Sequence, residues 1–161
     1  MLNQSSIKFF TGLITVLEFE AVIGRLWRSS QLSIEKELEG MITSLPVPYQ
    51  IKLIAEFCFM KVPVTIIPEM ALESFDFNGE KFLVDNTFNL AYKIGSEFSL
   101  KTLDTMHLAS AMKIKNYTQV NLQYLVTNDA ALLNEATEIH AHSNFLPIST
   151  DEICTLYKIS I

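Results

Sequence analysis

Three carboxylates, Glu18, Asp104 and Asp129, occupy positions in this sequence where acids do chemistry. Asp104 lies in "LKTLDTMHLASAMKI", residues 100 to 114, three residues before His107, in a stretch that otherwise reads as a buried helix. A charge there is costly unless something compensates it. Asp129 directly follows the apolar run "QYLVTN", and Glu18 directly follows "GLITV". Each acid therefore falls at or near a strand-to-helix junction or a helix start. Hard divalent cations such as Mg²⁺ or Mn²⁺ take carboxylate oxygens, keep several waters and bind phosphate. Carboxylates that converge at one sheet edge repel one another unless a cation joins them. The local alternative is capping, because a carboxylate also suits the unsatisfied N–H groups and the positive end of a helix. Taken singly, Asp104 and Asp129 are accounted for by capping. Glu18, among Leu17, Phe19, Val22 and Ile23, is harder to account for in that way.

The surrounding elements decide whether such acids meet. "KFFTGLITV" (8 to 16) reads as a short strand, and residues 17 to 30 and 33 to 45 as helices, the second capped by Ser33. "PVP" breaks the chain before a further helix, "YQIKLIAEFCFMK". "VPVTIIP" (62 to 68) is a β-branched run between prolines and reads as a strand. Asn78-Gly79 marks a turn. "FLVDNTFNLAYKIGSEF" reads as a helix ended by Gly95, and residues 100 to 116 as the best-formed helix of the chain. A strand over 123 to 128, a helix over 129 to 139, a strand over 145 to 149 and a short closing helix complete the pattern. Strands that alternate with helices and are apolar on both faces predict an α/β fold with a mainly parallel sheet. Ligands in such sheets gather at the carboxyl ends of the strands.

Composition narrows the function classes. A chain of 161 residues with 49% hydrophobic content suits one domain, residues 1 to 161, with a substantial core. A net charge of −6 argues against coating nucleic acid by bulk charge, but not against reaching phosphate through metal ions. No apolar run is fit to span a bilayer and no signal peptide is recognisable, and Cys58 and Cys154 form no pattern. The expectation is a cytoplasmic protein with reduced cysteines and no membrane partner. Trp27 and the 11 phenylalanines read as core or interface, and His140 and His142 as surface.

"LKTLDTMHLASAMKI", "YLVTNDAALL" and "LITVLEFEAVIGRLWR" occur in the same order as three segments of the PIN-domain ribonucleases, and resemble them. Toxin nucleases of the VapC type are the subgroup most similar in pattern. The resemblance implies a three-layer α/β/α PIN-like fold. It places the family's catalytic, metal-holding acids at Glu18, Asp104 and Asp129, with Thr127 and Asn128 as flanking polar groups; Glu20 is off the pattern. It implies Mg²⁺ or Mn²⁺ as cofactor and endonucleolytic hydrolysis of single-stranded RNA by a metal-activated water. An antitoxin protein is the implied partner. His107 reads as a supporting or simply satisfied helix histidine, and Arg25, Arg28 and Lys101 as candidate phosphate contacts.

One departure is large. The family's first strand, which ends in an aspartate, has no counterpart here, since no aspartate precedes Asp76. Ala131 replaces a further acid carried by many relatives. A shortened gene product, a degenerate relative and a sheet completed by a partner chain each account for this. Weak or absent activity is expected for this chain by itself, restored by an upstream segment carrying the aspartate. Exposed apolar surface is expected to drive homo-oligomerisation. The alternative from another class is a catalytically inactive PIN-like module that binds RNA or protein.

Overall fold

Asn78 and Gly79 both take positive φ, 53° and 83°, and join two strands by a two-residue turn, with Phe77 opposite Glu80. That is the primed turn an Asn-Gly pair favours, because its twist matches that of the flanking strands. The computed structural model in which this is seen describes residues 7–68, 71–118 and 121–159. The chain divides into two compact units, Met1–Pro68 and Glu69–Ile161.

In the first unit, strand β1 (Phe9–Gly12) leads into helix α1 (Leu13–Arg28). Helices α2 (Lys36–Ile42) and α3 (Val47–Lys61) follow, then strand β2 (Val64–Ile67). β1 and β2 pair in parallel, Phe9 opposite Val64 and Gly12 opposite Ile67, as a long helical crossover permits. The core joins Ile23 of α1, Leu38 and Ile42 of α2, and Ile51, Ile54 and Ala55 of α3. Trp27 closes one side, its indole N–H donating to Gln50 Oε1 at 2.7 Å while Gln50 Nε2 donates to the Leu45 carbonyl at 2.8 Å. The strand read over 8 to 16 ends at Gly12, so Ile14, Thr15 and Val16 are helical despite their β-branched and apolar character. Tertiary packing of Phe19 and Ile23 overrides that propensity. Ser33 does not cap α2, which begins after Glu35. The prolines expected to break the chain instead open α3, Pro46 at its N-cap and Pro48 in its first turn, where no amide donor is needed.

In the second unit, β3 (Leu72–Phe77) and β4 (Glu80–Asp85) form the antiparallel hairpin, followed by α4 (Asn86–Ile94) and α5 (Thr102–Thr118). Residues 82 to 85 are thus strand, where the sequence reads as helix. The turn returns the chain antiparallel to β3, and Asp85 then caps α4 through the Thr87 amide at 2.6 Å. β5 (Tyr124–Val126) pairs in parallel with β6 (Leu146–Ile148), and α6 (Ala130–Asn134) and α7 (Ala136–Ser143) cross between them. The helix read over 129 to 139 is interrupted at Glu135. α8 (Thr150–Tyr157) closes the unit behind a capping box, Ser149 and Glu152. The Ser149 amide and hydroxyl hold the Glu152 carboxyl below the usual glutamate value. The core gathers Ala91 and Ile94 of α4, Leu108, Ala109 and Ala111 of α5, Leu132, Ile139 and Phe145. Phe75 lies at its margin, edge-on to Tyr92 at 4.8 Å and to Phe88 at 5.8 Å, while Phe77 and Phe82 remain exposed.

Among the described residues the architecture is therefore mixed α/β, with eight helices and three two-stranded ladders, two parallel and one antiparallel. No helix is long and apolar enough to cross a membrane among those residues. A Cβ at Gly79 meets nothing within 4 Å, so a side chain there is penalised only by the backbone conformation. Gly79→Ala is accordingly expected to lower stability by about 1 kcal/mol in urea denaturation, with no change in the slope.

Candidate functional site

The turn after β5 is built from three polar side chains in succession. Thr127 continues the ladder, its amide donating to the Ile148 carbonyl at 2.9 Å. Its hydroxyl oxygen accepts the Asp129 amide at 3.0 Å. Asn128 Oδ1 accepts both the amide and the hydroxyl of Thr150, at 3.1 and 3.0 Å, which ties the turn to the start of α8. Asp129 caps α6, its Oδ1 accepting from the amides of Ala131 at 2.7 Å and Leu132 at 3.4 Å. Each of these side chains is held by backbone or by a second element. The turn presents an exposed carboxylate just past the carboxyl end of a parallel strand.

Asp104 stands in the first turn of α5 and is half-buried. The helix's free N–H groups and adjoining solvent stabilise its charge there, which is what its otherwise apolar helix needs. The next turns are fully enclosed, with Leu108 and Ala109 at 0% exposure. Lys101 precedes the helix, is exposed, and its carbonyl accepts from both the amide and the hydroxyl of Thr105. His107, one turn beyond Asp104, is half-buried.

Glu18 belongs to the first unit. It lies in the second turn of α1 rather than directly after a strand, because the helix begins at Leu13, and it is half-buried. Arg25 and Arg28 are exposed in the last turn of the same helix, where cations suit the negative end. Thus Thr127, Asn128 and Asp129 share one turn, and Asp104 and His107 share one helix of the same unit. Each of Glu18, Asp104 and Asp129 offers carboxylate oxygen, the kind of donor that hard cations such as Mg²⁺ and Mn²⁺ take. No group of three or more His, Cys, Asp or Glu side chains forms a ligand cluster among the described residues.

A second polar cluster escapes the sequence reading. Lys113, near the middle of α5 and only 11% exposed, donates to the Thr87 hydroxyl at 2.9 Å and lies 3.6 Å from Asp85 Oδ2. On another face of α4, Asn89 Nδ2 donates to Glu73 Oε2 of β3 at 2.6 Å. Burial by itself raises the Asp85 carboxyl, but the hydroxyl and amide of Thr87 and the Lys113 ammonium outweigh it and hold the group below the usual aspartate value. The signal was present in "VDNT", an Asp two residues before a Thr at a helix start. It was hidden by reading 82 to 85 as helix. This cluster fixes α4 on α5.

Comparison of the chain with protein-family models, with curated proteins and with solved structures finds no match.

Asparagine caps as well as aspartate but carries no charge, so two substitutions separate the roles of Asp129. Asp129→Ala is expected to lose about 1 kcal/mol of stability in chemical denaturation and Asp129→Asn only a few tenths. Loss of Mn²⁺ binding in the stable asparagine variant would mark Asp129 as a ligand. For Asp85 the folded value is depressed, so its contribution is complete above the ordinary carboxyl value of 3.8 and is lost as pH falls through the lowered folded value. Asp85→Asn is expected to be about 1–2 kcal/mol less stable at pH 7, and the gap to close in acid, as read by denaturation at a series of pH values.

Proposed function

We propose that the chain is a PIN-like, metal-dependent endoribonuclease acting on single-stranded RNA, of the kind that serves as the toxin of a toxin–antitoxin pair. The observation that carries this reading is the Thr127–Asn128–Asp129 turn, which holds an exposed carboxylate at the carboxyl end of β5. The placement of Asp104 in the first turn of α5, half-buried, supports it. Asp104 and Asp129 would hold Mg²⁺ or Mn²⁺, with Thr127 and Asn128 keeping Asp129 in position, and Glu18 is the further acid that the resemblance assigns. When bound, such an ion supplies Lewis-acid charge for a phosphodiester and acidifies a water. The carboxylates orient, and no side-chain nucleophile is required. Arg25, Arg28 and Lys101 are exposed and suited to phosphate oxygens.

A second reading, a non-catalytic PIN-like module that binds RNA or protein, is favoured by one specific observation. Asp129 already serves as a helix cap, its Oδ1 accepting the Ala131 and Leu132 amides, which accounts for its place without a metal.

Calorimetric titration with Mn²⁺, paired with cleavage of a labelled single-stranded RNA, decides between them. The nuclease reading expects saturable Mn²⁺ binding, and any cleavage to be weak and abolished by EDTA. Asp104→Asn is expected to reduce both by at least about 100-fold, since even groups that merely orient metal ligands are worth about 10- to 100-fold. RNA binding without Mn²⁺ heat would instead establish the binding module.

A further inference from the structure

Of the chain's asparagines, Asn78 alone is followed by glycine. The pair forms the exposed tip of the hairpin, beyond the last ladder pair, Phe77 with Glu80. In a two-residue turn the flanking residues bond each other, and the peptide link between the central residues stays outside the ladder. A Cβ at Gly79 meets nothing within 4 Å, so the Gly79 nitrogen stands in open space. The Asn78 side-chain amide carbon can reach that nitrogen once the Asn78 Cα–C bond rotates. Glycine, with no side chain, leaves both the rotation and the approach free. Every other asparagine precedes a residue whose side chain shields its nitrogen.

We infer that the Asn78–Gly79 turn is a self-modification site, where asparagine converts to isoaspartate without an enzyme. The Gly79 nitrogen gives up its proton and attacks Asn78 Cγ. An N–C bond forms, the Cγ–Nδ2 bond breaks, and Nδ2 takes up a proton and leaves as ammonia. Water then opens the cyclic imide. Opening at the main-chain carbonyl gives isoaspartate, and opening at the other carbonyl gives aspartate. Isoaspartate routes the backbone through the former side chain, which lengthens the tip by a methylene. β3 cannot absorb the extra length, because Glu73 is bonded to Asn89 of α4, and Phe75 lies edge-on to Phe88 and Tyr92. β4 is fixed at its far end, where Asp85 caps α4. The misfit therefore falls on the Phe77–Glu80 pair, at a tip that gains a carboxylate beside Asp76 and Glu80. The inference uses none of the acids of the nuclease reading.

The test incubates the folded full chain until the same chain unfolded in guanidinium has converted, and then maps its peptides. The folded chain is expected to gain about 1 Da in the peptide holding residue 78, divided between isoaspartyl and aspartyl forms. Gly79→Ala is expected to slow the gain at least about tenfold, since a side chain then shields the nitrogen. The isoaspartyl form, isolated by ion exchange, is expected to unfold at a lower urea midpoint than Asn78→Asp, which carries the same charge on an unlengthened backbone. A folded chain that keeps its mass at Asn78 overturns the proposal. So does a gain made up of aspartate alone, which marks direct hydrolysis, or one that Gly79→Ala leaves equally fast. An isoaspartyl form as stable as Asn78→Asp overturns the claim that the longer tip breaks its pairing.

Discussion

Helix α5 must meet two demands along one length, and the second unit is arranged around how it does so. Ala109, fully buried and one turn before Lys113 on the same face of α5, is small enough for α4 to approach closely. Lys113, one turn further on, carries a charge into the same contact. That charge is tolerable only because Asp85 and Thr87 at the head of α4 receive it. Asp85 therefore has two duties. It caps α4, and it neutralises the cation of the helix that α4 lies on. The hairpin follows from this, since β4 ends at Asp85 and its register with β3 delivers that residue to the helix start.

Much of the architecture was legible because local chemistry and tertiary packing agree. Asn78-Gly79 was readable as a turn since few residues tolerate two successive positive φ values. "VPVTIIP" was readable as a strand between prolines, and the long helix over Thr102–Thr118 from its Leu and Ala content. The failures arose where the two disagree. "LITV" has the composition of a strand, but its helical face is needed against α3, so packing prevailed. "FLVD" has helical neighbours on one side only, and pairing with β3 determined its state. A single mainly parallel sheet was the expectation; paired ladders, one of them antiparallel, are what the described residues form.

The acids were legible in kind and less so in role. Asp129 lies three residues past the end of β5, which stops at Val126 and not at Asn128, and Asp104 stands in a first helical turn. Capping explains the local placement of both, and a cap and a metal ligand are not exclusive duties for a carboxylate with two oxygens. Glu18 moved the furthest from expectation, by the early start of α1. The Asp85–Lys113 pair shows the complementary error. A lysine in an apolar helix reads as solvated surface, and only the fold reveals which acid faces it.

The hairpin sets one further condition on how this chain behaves in company. Phe77 and Phe82 leave one side of a two-stranded ribbon greasy and open, the sort of template on which extended chains stack. Asp76 pairs across the strands with Lys81 on the reverse side. A ribbon stacking against that side would have to strip water from both charges at once. The opposed pair thus acts as a gatekeeper beside Leu72 and Leu83, which stand exposed on that same side.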